Sequence, residues 1–326
     1  MIGVGVIGLG FGERVHLPGF ERLGDRVEVL GGWSPSRSVG RAWRGWEDLV
    51  ADPDVGLVSI ASPPGNHRAP ALAALAVGKA VLCEKPMAVS VEDAEAMADA
   101  ARTAAGPTLV DFEFRRVPAF LEAKRLVQGL GDLEELEVTW KLGTRTRGPL
   151  PPSWKDSAEA GGGALLGLGI HVFDYLEWLA GPVDRARGEL EHAAEGATSD
   201  TGFTAELVLA GGVTAHVDVS NASEVATGHA VRVRGARGEL ELANPDTSDY
   251  VRGFGISWNG APMPLRDPPD GDGRIAPFAE LAGELVSALE RKRPAVPSFE
   301  HGLRAQRVAA AVRGSRGAWV ALPIPS

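Results

Sequence analysis

A lysine between a glutamate and a proline, Glu84-Lys85-Pro86, comes directly after the apolar run Ala80-Val81-Leu82-Cys83. That run reads as a buried strand, so the spacing sets an ammonium at a strand's carboxyl end, downstream of an amino-terminal glycine loop. In an open α/β sheet this edge is where a bound nucleotide and a reacting molecule meet. Pro86 stops the strand and biases the Lys85 backbone toward extended geometry, so the side chain is aimed. For three residues alone, the plainer alternative is a solvated lysine in a strand-to-helix turn.

The glycine loop, Gly8-Leu9-Gly10-Phe11-Gly12, stands between a strand pattern at 2–7 and a helical stretch. Glycines there let the backbone turn sharply and approach a pyrophosphate, whose charge rests on the helix N-terminus. The usual spacing asks for a third glycine at position 13. This chain has Glu13, with Gly12 as the substitute. Strand, loop and helix in that order make the loop, Phe11 included, a dinucleotide-binding candidate. The second strand ends without the acidic residue that grips the ribose in an NAD-specific site. Ser34-Pro35-Ser36-Arg37-Ser38 stands there instead, with Arg41 nearby. Hydroxyls and a guanidinium suit a ribose 2′-phosphate and point to NADP over NAD; a polar loop with an incidental arginine is the alternative. Trp33 either stacks near the adenine or simply packs. The third strand runs into Ala61-Ser62-Pro63-Pro64-Gly65-Asn66-His67, a rigid turn at the same edge with Asn66 as a helix N-cap. Ser62, Pro63, His67 and Glu84 join the cofactor set, although His67 equally suits the helix terminus. No group of Cys, His and carboxylates has metal-ligand spacing, and no Gly-x-Ser-x-Gly elbow or Walker-type loop is present.

These residues need a scaffold. The length of 326 residues implies two domains, placed at 1–117 and 118–326. In the first, strand patterns at 2–7, 27–33, 57–60, 80–83 and 108–112 alternate with helical stretches at 13–23, 66–77 and 90–105. Alternation of this kind predicts a parallel, doubly wound sheet. Ser90 with Asp93 suggests an N-cap for an alanine-rich helix. Beyond residue 118 come a helix (119–128), a strand (133–142), a loop (143–160) and a helix (164–179). Strands at 186–192, 203–209, 213–220, 229–235 and 239–242 then follow one another without helices, which predicts an α+β domain with a large, mostly antiparallel open sheet. Helices at 276–291 and 300–314 close the chain, and 267–274 reads as an exposed acidic loop.

A net charge of −10 argues against nucleic acid and anionic membrane surfaces as partners. The single Cys83 excludes an internal disulfide and suits a reducing compartment. The first ten residues lack a basic n-region, and 161–181 carries His171, Asp174 and Glu177, too polar to span a bilayer. A cytoplasmic protein is the expectation.

Taken as a set, the glycine loop, Pro63-Pro64-Gly65-Asn66-His67, Glu84-Lys85-Pro86, Phe114-Arg115, Gly161-Gly162-Gly163…Gly169-Ile170-His171 and the closing Gly302-Leu303-Arg304…Trp319-Val320 resemble the Gfo/Idh/MocA oxidoreductases. The resemblance implies a Rossmann domain followed by a domain whose open sheet builds the substrate site and the oligomer contacts, as a homodimer or homotetramer. It implies NAD- or NADP-dependent interconversion of a secondary alcohol and a ketone on a sugar, polyol or related small molecule. It implies further that Lys85 bonds the reacting oxygen and that His171 is the catalytic histidine, the two meeting at the nicotinamide. Many members have Asp four residues before that histidine; here the position is Gly167. Asp174, three residues after His171, either orients the imidazole or pairs structurally. Arg115 and Trp154, with Lys155, are placed at the substrate pocket. Two other readings stay open: a dinucleotide-binding regulator or scaffold without catalysis, and a redox-assisted lyase or glycosidase with tightly bound cofactor.

Overall fold

The computed structural model describes residues 1–143, 153–192, 198–265 and 271–323. Half of the expected loop at 143–160, and the first half of that at 267–274, lie outside them. By internal contacts the chain forms two units, Met1–Arg116 with Asp270–Gln306, and Val117–Pro269 with Arg307–Ser326.

The first unit holds a six-stranded sheet: β1 (Ile2–Ile7), β2 (Val27–Ser34), β3 (Arg37–Gly40), β4 (Val55–Ile60), β5 (Ala80–Cys83) and β6 (Thr108–Val110). Its order is β3-β2-β1-β4-β5-β6, parallel except for β3, which turns back antiparallel on β2. All four β5 residues are buried, as a strand covered on both faces requires. Helices α1 (Leu17–Glu21), α2 (Trp46–Ala51), α3 (Arg68–Ala76) and α4 (Val91–Thr103) alternate with the strands. The Ser90 hydroxyl caps α4 by accepting from the Asp93 N–H at 3.1 Å.

Two expected α-helices begin differently. The stretch at 13–23 opens as a π-helical turn (Gly12–His16) before α1, and the stretch at 164–179 opens as a π-helical turn (Leu165–Gly169). Both turns are glycine-containing, where the backbone accepts the wider winding.

Linear domain limits do not anticipate that 270–306 belongs with the first unit. In the second unit, α5 (Pro118–Leu126) and α6 (Ile170–Ala180) precede most of a larger sheet. Helix α7 (Ile275–Glu290) then joins the first core: Phe278, Leu281, Ala282, Leu285 and Val286 pack with Val4, Leu57 and Leu82. Each fully buried Leu, Val or Phe contributes roughly 1.5–3 kcal/mol. A half-exposed pair such as Arg26–Glu290 is screened by water and adds little, so burial decides where α7 belongs. The division falls within α8 (Phe299–Ser315).

The second sheet comprises β7 (Leu133–Lys141), β8 (Val183–Glu191), β9 (Gly202–Leu209), β10 (Thr214–Ser220), β11 (Gly228–Gly235), β12 (Gly238–Asn244), β13 (Gly255–Trp258), β14 (Ala261–Pro262) and β15 (Val320–Ala321). Its order is β14-β13-β12-β11-β7-β10-β9-β8-β15, and among the described residues only β7 and β10 pair in parallel. Leu136, Val138 and Trp140 alternate into the core from β7. The other face carries cross-strand ion pairs, Arg232 with Glu137 and Arg187 with Glu206, each at 2.7 Å. No helix among the described residues is long and apolar enough to cross a membrane.

Candidate active site

The three loop glycines have three different reasons to be glycine. Gly8 adopts φ +99°, and a Cβ there would lie 2.4 Å from the Ser62 nitrogen. A Cβ on Gly12 would meet Val6 Cγ1 at 2.7 Å, so Gly12 permits the close helix-to-strand packing that position 13 usually allows. Gly10 is exposed, and a Cβ on it would meet nothing within 4 Å. The protein itself does not require glycine at position 10; open backbone there fits the approach of a pyrophosphate. Phe11 is held on both sides: His16 lies edge-on at 5.6 Å and the Arg274 guanidinium stands 5.1 Å from its ring.

At the end of β2, the Ser34 and Ser36 hydroxyls are 3.2 Å apart, and Ser34 donates to the Arg37 carbonyl at 3.1 Å. Arg37 forks onto Glu13, with Nη1 3.1 Å from Oε1 and Nη2 on Oε2. That hydrogen bond, then the charge behind it, raises the Arg37 pKa and lowers that of Glu13. Residue 13, which interrupts the glycine pattern, is therefore the partner of the arginine expected to bind phosphate. Arg41 is engaged by Asp52 and Asp54. At the next turn, His67 is fully buried, with Nε2 2.6 Å from the Ser62 carbonyl and Nδ1 3.2 Å from that of Met87. It braces the 62–67 turn, including Pro63, against the segment after β5, and burial lowers its pKa.

Lys85 is half-buried at the carboxyl end of β5, and the Lys85–Pro86 peptide bond is cis. Beneath it lies a group that sequence reasoning missed. His16, Ser59, Glu84, Asp111 and Glu113 are all buried. His16 Nδ1 is 2.8 Å from Ser59 Oγ and Nε2 is 3.1 Å from Glu84 Oε1, while Phe278 stacks on the ring at 4.2 Å. Glu84 Oε2 accepts the backbone N–H of Lys85 at 3.1 Å. Glu84 and Asp111 bring carboxyl oxygens within 4.8 Å of each other. Burial, then the Glu84 and Glu113 charges, push the Asp111 pKa well up. Burial opposes ionisation of Glu84 too, yet its bond to His16 and the Lys85 charge bring its pKa down. Burial raises Glu113 to about 7 against the pull of Lys85. Cys83, an unpaired buried thiol, is pushed well up by burial. His16, Glu84 and Asp111 also bring metal-ligand atom types within 4.8 Å of one another. Residues 16, 84 and 111 share no local spacing, so no motif could show this.

Arg115 is buried in the 3₁₀ turn Glu113–Arg116 after β6, and burial together with its charge lowers His301 to about 4. In the second unit, His171 and Asp174 are buried on α6. The Trp140 ring is 6.3 Å from His171 and stacks on His229 at 4.2 Å. The Tyr175 hydroxyl and His229 Nε2 share a hydrogen bond at 3.0 Å, and burial lowers His229 to about 3. Gly167 lies in the π-helical turn, so its offset from His171 differs from one α-helical turn; a Cβ there would meet nothing within 4 Å. Trp154, half-buried in a short 3₁₀ turn capped by Ser153, has the Lys155 ammonium 5.9 Å from its ring. The structure thus gathers the glycine loop, Ser62, Glu84 and Lys85 at one edge of the first sheet, and His171 and Asp174 on one helix of the second unit.

Residues 2–112 match an oxidoreductase family model with an NAD-binding Rossmann fold, and 120–241 match the model of the Gfo/Idh/MocA C-terminal domain. An uncharacterized oxidoreductase of Synechocystis is 33% identical over 98% of this chain and 96% of its own length. A trans-1,2-dihydrobenzene-1,2-diol dehydrogenase of Macaca fuscata fuscata is 26% identical over 84% of this chain and 81% of its own. Among solved structures, an NAD binding oxidoreductase from Klebsiella pneumoniae superposes with a TM-score of 0.87 at 24% identity, each chain covered to 99%. Levoglucosan dehydrogenase in complex with NADH and levoglucosan also gives 0.87, at 21% identity and 99% coverage of both chains.

Proposed function

Because the chain belongs to the Gfo/Idh/MocA family and is an NAD(P)-dependent oxidoreductase, we propose that it interconverts a secondary alcohol and a ketone on a sugar, polyol or related small molecule, with NADP preferred. The observation that carries the cofactor half is Gly10, exposed and unhindered between two glycines the fold itself requires. The substrate half draws on relatives named for levoglucosan and dihydrodiol oxidation.

NAD or NADP, when bound, supplies the hydride acceptor or donor. Gly8, Gly10 and Gly12 hold the pyrophosphate against the following turn, with Phe11, Ser62, Pro63, His67 and Glu84 shaping the edge around it. Ser34, Ser36 and Arg37 face the adenosine ribose. A 2′-phosphate takes the place of Glu13 as the partner of Arg37; both groups are exposed, so that exchange costs little. Lys85 stabilises charge developing on the reacting oxygen, and His171 moves the proton near neutral pH. Arg115, Trp154 and Asp174 are assigned to the substrate. The charged face of the second sheet is assigned to a homodimer or homotetramer, which light scattering at micromolar protein tests.

The test is a screen of sugars, inositols and dihydrodiols against both cofactors, followed by nicotinamide absorbance. A redox-assisted lyase would consume substrate with no net absorbance change, and absence of any turnover would overturn the reading. Gly10→Ala should fold normally yet lose cofactor affinity, read by titration calorimetry. Arg37→Ala should weaken NADPH by roughly tenfold or more and leave NADH nearly unchanged, since only NADPH has a 2′-phosphate to lose. Equal losses for the two cofactors would refute the NADP assignment.

A further inference from the structure

The buried group beneath Lys85 poses an electrostatic problem with one economical solution. Glu84 and Asp111 bring carboxyl oxygens within 4.8 Å of each other in a site shielded from water. Two carboxylates so placed cannot both ionise without a large penalty. Their surroundings are unequal. Both Glu84 oxygens have N–H partners, His16 Nε2 on Oε1 and the Lys85 backbone on Oε2, each at 3.1 Å. Asp111 Oδ1 has no hydrogen-bond partner, and its Oδ2 lies 3.9 Å from His16 Nε2, beyond hydrogen-bond range. An ionised Asp111 would leave lone pairs unsatisfied in the interior. A neutral carboxylic acid needs only an acceptor for its own O–H, and Glu84 is the carboxylate at hand, within 4.8 Å.

We propose that Glu84 and Asp111 share one proton beneath Lys85, and that this pair, oriented by His16, is the positioning device that holds Lys85 for reaction. The assignment of Lys85 as the reacting lysine rests on the function proposed above; the shared proton does not. The groups facing the pair support a single negative charge. Lys85 attracts it, Glu113 repels a second charge on Asp111, the Cys83 thiol stays neutral, and the buried His67 is the further titratable group that feels the Glu84 charge. The geometry adds the mechanical element. His16 is pinned by Ser59 on one nitrogen and by Phe278 on its face, so it orients Glu84. Glu84 in turn fixes the backbone at Lys85 through the Lys85 N–H. Loops after β1, β5 and β6, with Ser59 of β4, thereby join behind one side chain.

Infrared spectroscopy of the protein without substrate tests the proton directly. Well above the range in which Glu113 titrates, the parent should keep the carbonyl band of a protonated carboxyl, and Asp111→Asn should lose it. Absence of the band in the parent, or its persistence in Asp111→Asn, overturns the proposal. So does stoichiometric binding of Zn²⁺ in a calorimetric titration, which would make His16, Glu84 and Asp111 a metal site. The positioning role is read separately. His16→Gln should lower kcat on the order of a hundredfold, as small misplacements do, with KM for NADPH changed by less than about threefold. Asp111→Asn still donates to Glu84, so it should retain several-fold more kcat than Asp111→Leu. Equal losses in the two folded Asp111 variants would leave the pair without a positioning role. If the screen finds no dehydrogenase substrate, the infrared result still stands or falls alone.

Discussion

Around Lys85, the first unit gathers His16, Ser59, Glu84, Asp111 and Glu113; around His171, the second gathers Trp140, Tyr175 and His229, with Phe120 and Phe254 against the His229 ring. Both neighbourhoods are buried, yet one is made of groups that exchange protons and the other mainly of rings. Near Lys85, burial works against charge that the residues cannot all discard, so the result is shared protons and a Glu113 pKa of about 7. Near His171, burial meets groups that remain neutral: His229 is held to about 3 and Tyr175 is pushed well up, so the Tyr175 hydroxyl remains a donor. The contrast assigns separate sensitivities. The lysine's surroundings should lose stability as pH rises, and the histidine's should gain it.

The largest expected effect compares the two residues themselves. Lys85→Met and His171→Ala should each cut kcat by roughly a hundredfold to ten-thousandfold, while calorimetric NADPH affinity changes little. Normal turnover in either would remove it from the catalytic pair and break the comparison. Next is Trp140→Ala, which empties a site between His171 and His229. It should destabilise the protein by about 3–5 kcal/mol in urea unfolding, and by hydrating His229 it should weaken the rise of stability with pH. The subtlest test sets the two neighbourhoods' proton balances against each other. Glu113 holds its proton up to about 7 when folded, against an ordinary 4.5, so stability should fall as pH rises through that window. His229 goes the other way. Its folded value of about 3 lies below the ordinary 6.5, so stability should rise with pH between them. Thermal unfolding across this range should lose its falling component in Glu113→Gln and its rising component in His229→Phe. Parallel profiles for both variants would mean that the two surroundings do not differ as described.

The alternation of strands and helices was legible because each element announces itself locally. The β1 and β5 limits agree with the expected 2–7 and 80–83, and the Ser90 cap forms as its residue type implies. Short or unpatterned pieces escaped. Strand β3 follows a tight serine-rich turn, and β13 to β15 number four residues or fewer, too few for a period to show. The π-helical turns escaped as well, because their residues carry an ordinary helical pattern and only the winding differs.

Sequence alone determined the order of the elements, the glycine loop and the position of Lys85 at a strand's carboxyl end, since each depends on neighbours a few residues away. Tertiary structure decided the rest. Gly12 takes the packing duty of the missing glycine because Val6 lies against it. Glu13 and Arg37 pair across 24 residues, and α7 returns from the far end of the chain to cover the first core. The charge state of Glu84 and Asp111 was decided there too. It depends on how far each carboxyl lies from water, from His16 and from the other, and those distances exist only once four strands are side by side.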